Sequence, residues 1–519
     1  MRCIVVVWSF MLTSFIWGQQ HIIDWGPEMT DHSSLVSILP NDGLNFFAFR
    51  NTYSGITTTS KITKYAAGEE LLKEKINQRV GNNVASLEDI IYFGGSLIAF
   101  MSDKQDGSNN LYMIRYDEDL FPVGESVLIA SYPLLGTFKK KGEFQIIVSE
   151  NKRFLCVEYT IPAQRDEYEF YGFTVLDSSL NTIIRTEYEM PFISKLASVD
   201  TRYLSDKGEY FLGVSVFTDN NFGVWRDYSS LLKTVVVQVE QSGIHEFELL
   251  LDSKKVYDFE LSVIDETLLV TGTYGEPFSS GARGVFYQNV DLIQNKIIRE
   301  SIQEFPADLL NDEREQNQYK EMDRKDYVST QRFDDELMNY AFRGIHPMAD
   351  GSITIVAEQF YIFQLNSSDG RGLTQSVNHY YYNDLLIYRI DSLGNVSWII
   401  RVPKEQYSTN DYGYYSSMKS FVSDGKLRCF FNDTRDNYDE NGQFEVLKSA
   451  TNFPMRPKKY VLAQVEVDIS AGTANRFIHD TYETIQSYVV LKQTEIDLSK
   501  HQMLFYANGM KERFGLLQF

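Results

Sequence analysis

Eight apolar segments recur along the chain, and their spacing is the feature that most limits which fold this sequence can adopt. They begin at Phe46, Leu97, Phe154, Tyr210, Leu268, Ile353, Leu427 and Met503. Their starts are separated by 51, 57, 56, 58, 85, 74 and 76 residues. Intervals of this length hold about one four-stranded sheet with variable loops. They are close to the repeat length of ~40 to 50 residues found in β-propeller blades.

A second pattern follows most of these segments, in the order strand, short polar turn, strand. In residues 383–406 an apolar run stops at "DSLG", which begins at Asp391, and a period-2 pattern resumes at Val396. Asp can accept a bond from the backbone two residues on, and Gly accepts positive φ, so both suit a tight turn. Similar stretches, three of them without Gly, begin at Leu111, Phe173, Val235, Val285 and Tyr460. We therefore expect repeated hairpins.

These patterns predict an all-β chain that folds as a single β-propeller of residues 19–519. Eight strand pairs favour eight blades, and seven is the alternative. Only 12 Pro and 32 Gly occur, and no linker rich in them divides the chain. The final stretch, residues 513–519, ends as a strand, so we expect residues 33–40 to supply its missing partner and close the ring.

The longest interval between repeats, from Leu268 to Ile353, contains a charged stretch without Gly or Pro after Pro306. Pro suits the first turn of a helix, and Glu321 and Lys325 are spaced for an ion pair on one helix face. The sequence thus predicts a short charged helical insertion near residues 306–326, inside an inter-blade insertion of about residues 301–345. A solvated excursion and a lid or partner-binding element are both compatible with it.

The amino-terminal residues have the organisation of a secretory signal peptide. Arg2 precedes an apolar run that ends at the small residue Gly18. A membrane anchor is the alternative, but a span needs about 20 apolar residues and this run is shorter. We therefore predict a signal peptide at residues 1–18, export to the periplasm, the cell surface or the outer membrane, and no membrane span in the mature chain.

Charge and cysteine content disfavour a nucleic-acid-binding protein and a disulfide scaffold. The net charge of −22 repels phosphate backbones, which disfavours nucleic-acid binding. Cys156 and Cys429 lie in apolar strands of different repeats, so we expect both to be buried small hydrophobic residues and not a disulfide.

One loop offers a candidate metal site. Asn437, Asp439 and Asn441 alternate along it, Gly442 permits a turn, and Glu445 follows. Oxygen ligands at this spacing can surround Ca²⁺, as in D-x-[DN]-x-[DN]-G loops. The twelfth position from Asn437 is Lys448 where an EF-hand needs Glu, so a polar hairpin tip is the competing interpretation.

A second loop, residues 367–384, joins polar, Gly-containing sequence to Tyr380, Tyr381 and Tyr382. Exposed tyrosines beside polar groups form ligand surfaces, which makes the three candidate binding residues. Three tyrosines that enter a strand also fit an alternation between the core and the sheet surface.

Several stretches of the carboxy-terminal half resemble a family of uncharacterised secreted propeller-like proteins of Bacteroidetes-type bacteria. The matching residues are Glu358-Gln359-Phe360-Tyr361, Asp391 with Gly394 and Trp398, Pro403-Lys404-Glu405-Gln406, and Asn432-Asp433. The resemblance implies a propeller fold and export but no activity. Trp398 is expected to seal a blade interface and Asp391 to cap its turn. Lys404 and Gln406 follow a strand, where we expect an accessible rim and candidate binding residues.

No catalytic motif is recognisable. The seven histidines show no H-E-x-x-H arrangement, and G-x-S-x-G, G-x-x-x-x-G-K-[ST] and G-x-G-x-x-G are all absent. The sequence therefore names no catalytic residue and no cofactor other than the candidate calcium. We expect a non-enzymatic propeller that binds or scaffolds a protein or glycan of the bacterial cell envelope. The alternative is a hydrolase or lyase that acts on an extracellular polymer with a site assembled from several blades.

Overall fold

The computed structural model describes residues 22–54, 57–135, 142–163, 167–218, 230–251, 254–276, 281–310, 336–368, 374–451 and 453–519. Within these ranges the chain forms eight mainly antiparallel sheets of four or five strands. The first strands of most successive sheets pack beside one another, and the first sheet also packs against the last, so the sheets close a ring. The protein is an all-β propeller with eight blades, numbered here in chain order, as the repeat predicted.

Blades 1 to 5 are four-stranded meanders, with the first strand at the centre of the ring and the fourth at its edge. Their strands are Ser34–Asp42, Asn45–Ser54, Thr57–Ala66 and Glu69–Lys75; Ser86–Phe93, Ser96–Gln105, Ser108–Tyr116 and Pro122–Pro133; Phe144–Val148, Phe154–Ile161, Tyr168–Asp177 and Thr182–Ile193; Ala197–Leu204, Tyr210–Phe217, Leu231–Val239 and Ile244–Glu248; and Lys255–Ile264, Thr267–Gly275, Gly284–Asp291 and Lys296–Glu304. A small hairpin, Arg79–Val80 with Asn83–Val84, precedes blade 2.

Blades 6 to 8 depart from this regularity. Their strands are Tyr340–Pro347, Ile353–Ser368, Thr374–Ile390, Val396–Thr409 and Ala450–Thr451; Met418–Ser423, Lys426–Thr434, Tyr460–Asp468 and Thr473–Thr481; and Tyr488–Val489, Glu495–Asp497, Gln502–Asn508, Glu512–Gln518 and Asp24–Trp25. The short helices of the described residues are Ala307–Leu310 and Tyr482–Ile485, with 3₁₀ turns at Ser194–Leu196, Arg435–Asn437, Phe453–Met455, Pro457–Lys459, Leu491–Gln493 and Leu498–Lys500.

The eight apolar segments of the sequence are the second strands of blades 1 to 7 and, in blade 8, the strand Gln502–Asn508, which pairs with the two short strands before it. Such a strand has a neighbour on each side and a blade on each face, so it is apolar almost throughout. Tyr210–Phe217, for example, is buried at every position. The core lies between neighbouring blades: Phe100 and Met113 of blade 2 pack with Leu155 and Val157 of blade 3. Cys156 and Cys429 are buried and unbonded, as predicted.

An aspartate caps the turn between the third and fourth strands of several blades. In blade 6, Oδ1 of Asp391 accepts bonds from the backbone N–H groups of Leu393 (2.9 Å) and Asn395 (2.8 Å). The same residue type caps the corresponding turns at Asp117, Asp177, Asp291 and Asp468. Trp398 follows in the fourth strand and donates through Nε1 to the carbonyl of Ile469 in blade 7 (2.9 Å). Both structural roles expected from the resemblance are confirmed.

The ring closes through an amino-terminal strand, but not the predicted one. Asp24–Trp25 pairs with Leu516 and Gly515 at the edge of blade 8. Residues 33–40 belong instead to the innermost strand of blade 1, because a two-residue turn pairs Ser34–Asp42 with Asn45–Ser54. The expectation that residues 33–40 close the ring is therefore wrong.

A buried ion pair strengthens the seam at which the ring closes. Arg50 of blade 1 has no exposed side-chain surface, and its Nη2 lies 3.0 Å from Oε2 of Glu512 in blade 8. The hydroxyl of Tyr506 donates to the same carboxylate oxygen at 2.7 Å. First and last blades are thus joined by a charged contact as well as by apolar packing.

Two sequence predictions fall mainly outside the described residues. The signal peptide at residues 1–18 lies wholly outside them. Of the predicted helical insertion, the structure describes Ala307–Leu310 as helix, and residues 311–335 lie outside. Strands occupy Lys296–Glu304 and Tyr340–Pro347, so the segment that links blades 5 and 6 is shorter than residues 301–345.

Candidate functional site

The innermost strands surround the axis of the ring, and an ion pair of the described residues crosses it. Lys152, in the hairpin between the first two strands of blade 3, places Nζ 2.5 Å from Oδ2 of Asp497 in blade 8. Blades 3 and 8 are not neighbours, so this contact spans the channel. The backbone N–H of Asn151 donates to Oδ1 of Asp206 in blade 4 at 3.0 Å, which fixes the hairpin in this position.

A pocket of about 290 Å³ lies on the side of blades 3 to 6. It is lined by Glu150, Tyr203, Glu260, Leu261, Ser262, Phe342, Arg343, Gly344, Ile345 and Pro347. Glu150 follows the innermost strand of blade 3, and the other lining residues belong to the innermost strands of blades 4, 5 and 6. A pocket at this place is therefore a product of the closed ring and not of any single blade.

The two carboxyl groups of the pocket are held in surroundings that disfavour their charge. Burial raises the pKa of Glu260 to about 7, although the hydroxyl of Thr201 donates to its Oε2 at 2.8 Å. Desolvation by the surrounding protein raises the pKa of Glu150, although its side chain keeps accessible surface, and the charge of Asp206 adds to the effect. Arg343 directs its Nε to Glu358 at 2.8 Å.

Blade 6 carries a second candidate surface. Its second and third strands are 16 and 17 residues long, and no other described strand exceeds 14. At ~3.3 Å per residue, roughly seven extra residues extend the sheet by about 20 Å beyond its neighbours. We call residues 359–368, 374–384 and 403–409 the blade 6 extension.

Aromatic side chains form a row across one face of the blade 6 extension. Tyr361, Tyr381 and Tyr407 stand directly opposite one another on its three strands. Their ring centroids are 4.7 Å and 5.1 Å apart, and Nδ1 of His379 lies 2.7 Å from the hydroxyl of Tyr407. These four side chains are half-buried, so they offer a mixed aromatic and polar surface.

The opposite face of the extension is buried. Tyr380 and Tyr382 are 4% and 5% exposed. Nζ of Lys492 in blade 8 donates to the hydroxyl of Tyr382 at 2.7 Å. The ring of Tyr382 packs against Gly413, where a Cβ atom would lie only 2.4 Å from Cε2 of that ring. The three consecutive tyrosines thus alternate between the two faces of the sheet, and of the three only Tyr381 lies on the half-exposed face. A binding role for these tyrosines stays a prediction.

Lys404 and Gln406 were expected at an accessible rim, and this expectation is wrong. They are 1% and 0% exposed, because the fourth strand of blade 6 continues past them to Thr409 between blades 6 and 7. Nζ of Lys404 contacts Oε1 of Glu358, the carbonyl of Tyr382 and Oε1 of Gln406 at 2.8, 2.9 and 2.8 Å. All three of its donors are therefore used inside the protein.

The remaining residues of the resemblance continue this buried network into blades 7 and 8. Nε2 of Gln406 donates to the carbonyl of Asn432 at 2.7 Å. The side chain of Asn432 donates to the carbonyl of Val489 in blade 8 at 2.7 Å and accepts from the hydroxyl of Tyr460 at 2.9 Å. The residues that carry the resemblance thus join three blades.

The candidate calcium loop makes its own internal hydrogen bonds. Asn437 is buried; its Oδ1 accepts from the backbone of Lys448 at 2.7 Å and its Nδ2 donates to Asp433 at 2.8 Å. Oδ1 of Asp439 accepts from the backbone N–H groups of Asn441 (2.9 Å) and Gln443 (2.8 Å). Glu445 follows after the turn, and its backbone N–H donates to the carbonyl of Asn437 at 2.9 Å. The loop has the form of a capped hairpin tip, and its calcium role stays a prediction.

The described residues contain no group of three or more His, Cys, Asp and Glu side chains arranged to hold a metal ion. Among their helices, none is long and apolar enough to cross a membrane.

Sequence reasoning missed the pocket residues and the ion pair that crosses the channel. Glu150, Glu260 and Arg343 are separated by 110 and 83 residues and share no local motif. Lys152 and Asp497 lie 345 residues apart. Only the angular position of each blade in the ring brings these side chains together, and a single sequence carries no signal for it.

Comparisons with known proteins identify no family. No family model and no curated protein matches the chain. Among solved structures, the chain is similar to the Dos1 propeller, with 9% identity, 96% of both chains covered and a TM-score of 0.43. It is similar to the polysaccharide lyase Uly1, with 11% identity, 94% of this chain and 99% of that chain covered, and a TM-score of 0.38. It is also similar to prolyl oligopeptidase B from Galerina marginata, with 9% identity, 93% and 55% covered, and a TM-score of 0.37.

Proposed function

We propose that this protein is exported and binds a protein or glycan partner at a bacterial cell envelope, without catalysing a reaction. The observation that carries this proposal is the aromatic row of the blade 6 extension. Tyr361, Tyr381 and Tyr407 present neighbouring half-buried rings on a part of the sheet that reaches beyond the other blades. Rigid aromatic surfaces of this kind contribute most of the energy in many binding interfaces.

Two further features support the proposal. Residues 1–18 have the composition of a signal peptide, which favours export. The Lys152–Asp497 ion pair crosses the central channel, which favours binding on the outside of the ring over passage of a polymer through it.

The test compares Tyr381→Ala with the wild-type chain for binding to an envelope extract and to an array of envelope glycans. Tyr53→Ala is the matched control, because Tyr53 is a 65% exposed tyrosine of blade 1 outside the extension. We expect Tyr381→Ala to bind at least ~10-fold more weakly, as for a central aromatic contact, and Tyr53→Ala to bind normally. Equal binding by the two variants would contradict the proposal.

The alternative function, a hydrolase or lyase acting on an extracellular polymer, is favoured by one observation. The pocket holds two carboxyl groups, and burial raises the pKa of Glu260 to about 7, the range required of a general acid at neutral pH. The test is whether the wild-type protein releases new chain ends from an extracellular polysaccharide or peptide. If it does, and if Glu260→Gln abolishes the release, catalysis is established and replaces the binding proposal.

A further inference from the structure

We propose that the channel pocket bounded by blades 3 to 6 binds a small organic cation, an amine or a guanidinium group. This site is separate from the aromatic row of the blade 6 extension and does not depend on the proposed function. Its volume of about 290 Å³ is at the lower end of ligand pockets, which measure ~300 to 1,000 Å³, and exceeds the space a bare ion occupies.

The charge balance of the pocket favours a positive ligand. Glu150 and Glu260 enter it from different blades, and within the described part of the chain neither forms an ion pair. The cation of the lining, Arg343, directs its Nε to Glu358, a carboxylate that it shares with Lys404, and not to either carboxyl group of the pocket. The lining therefore carries two acidic groups against one cation, and the surrounding protein makes the ionisation of both acidic groups unfavourable. A bound cation would offset that cost.

The aromatic part of the lining suits the organic portion of such a ligand. Tyr203 and Phe342 are half-buried, so their rings keep accessible surface inside the pocket. The hydroxyl of Tyr203 accepts a bond from the backbone N–H of Val263 at 3.3 Å, which holds its ring in place. Aromatic faces attract ammonium and guanidinium groups, and apolar Leu261 and Ile345 complete the wall.

Small molecules of similar shape and different charge test whether the pocket of the full-length protein requires a positive ligand. Benzylamine, benzyl alcohol and benzoate differ mainly in charge, and agmatine adds a guanidinium. Calorimetric titration should show benzylamine and agmatine bound with Kd values below ~10 mM, with benzyl alcohol and benzoate at least ~10-fold weaker. Glu260→Gln and Glu150→Gln should each weaken amine binding by about 10-fold, as for loss of one charged hydrogen bond.

Glu248→Gln is the control, since Glu248 lies on the exposed outer strand of blade 4, and it should bind like the wild type. Circular dichroism of each variant verifies the fold. The proposal is overturned if neither amine nor guanidinium binds in this range, if benzyl alcohol binds as tightly as benzylamine, or if both glutamine variants retain full affinity.

Discussion

Glu158 of blade 3 and Glu358 of blade 6 occupy similar places, yet the protein shifts their pKa values in opposite directions. Both lie on the second strand of a blade, both are 0% exposed, and both are bound by an arginine of an innermost strand. The pKa of Glu158 is raised above its ordinary value, whereas that of Glu358 is lowered. The difference lies in their partners.

Glu158 has one cationic partner among the residues that the structure describes. Nε of Arg202, from blade 4, lies 3.1 Å from Oε1, and the hydroxyl of Tyr210 donates to Oε2 at 2.6 Å. Arg202 is 27% exposed, so water weakens its attraction. Burial therefore outweighs these contacts and raises the pKa.

Glu358 has two cationic partners. Lys404, itself buried, lies 2.8 Å from Oε1, while Arg343 and the hydroxyl of Ser417 each donate to Oε2 at 2.8 Å. Burial alone would raise the pKa of Glu358, but the charges of Lys404 and then Arg343 exceed that effect and lower it. A second, buried cation thus decides whether a carboxyl group inside this propeller is kept charged.

The largest effect should follow removal of the carboxylate charge at Glu358. Glu358→Gln removes the charge that Lys404 and Arg343 share and should lower the free energy of unfolding by about 3 to 5 kcal/mol. Glu158→Gln keeps a side-chain oxygen for Tyr210, and Arg202 can turn to water, so its cost should stay within about 1 kcal/mol. Urea unfolding midpoints of the two variants measure the difference. Equal costs would mean that the second cation is unimportant.

The next prediction tests whether the charge of Lys404 is the cause. In the Glu358→Gln background, Lys404→Met removes a buried cation that has lost its Glu358 partner and should restore about 1 to 3 kcal/mol, a coupling expected of residues in contact. Lys404→Met alone should be destabilising. The control is Lys64→Met, because Lys64 pairs with the 92% exposed Glu118 and such pairs contribute ~0 to 1 kcal/mol. A double variant less stable than Glu358→Gln would contradict the argument.

The parts of this comparison that could be predicted from sequence are local. The second strands that carry both glutamates follow from period-2 apolar patterns, and the turn aspartates follow from short-range backbone bonding. Both depend on residues within a few positions of one another, so a single sequence contains the information.

The partners could not be predicted in the same way. Lys404 is 46 residues from Glu358, and Arg202 is 44 residues from Glu158, so each pairing depends on how strands are ordered in a sheet or blades in a ring. Lys404 follows Pro403 in a sequence that resembles a strand end, yet the strand continues to Thr409 and buries it. Ring closure by Asp24–Trp25 was missed because two residues cannot show an alternating pattern.

The pH dependence of stability should have opposite signs at the two sites. Glu358 has a folded pKa below 4.5, so its stabilisation is complete above that value and is lost as the pH falls through the folded pKa. Glu158 has a folded pKa above 4.5, so the folded state gains relative stability as the pH falls toward 4.5.

Differences between wild type and variant isolate these contributions, since other groups titrate in both. As the pH falls from about 7 to about 5, the stability difference between wild type and Glu158→Gln should shift in favour of the wild type. As the pH falls below about 4.5, the stability difference between wild type and Glu358→Gln should shrink. Each unit of pKa shift corresponds to about 1.4 kcal/mol. If the two stability differences change with pH in the same direction, the pKa values of Glu158 and Glu358 are not shifted in opposite directions.

The smallest effects should come from the neutral donors, and they should also differ between the sites. Tyr210→Phe removes one of two partners of Glu158, whereas Ser417→Ala removes one of three partners of Glu358. A hydrogen bond to a buried carboxyl group contributes more when few others share it. We therefore expect a loss of about 0.5 to 1 kcal/mol for Tyr210→Phe and less than about 0.5 kcal/mol for Ser417→Ala. In Tyr210→Phe the pKa of Glu158 should also rise further, because the lost hydroxyl opposes the effect of burial.

Midpoints in urea at neutral pH and below about pH 5 distinguish these expectations. If Ser417→Ala costs more than Tyr210→Phe, the number of partners does not set the energy of these two carboxyl groups, and the backbone of Ser417, at φ of 81°, would be the next feature to examine.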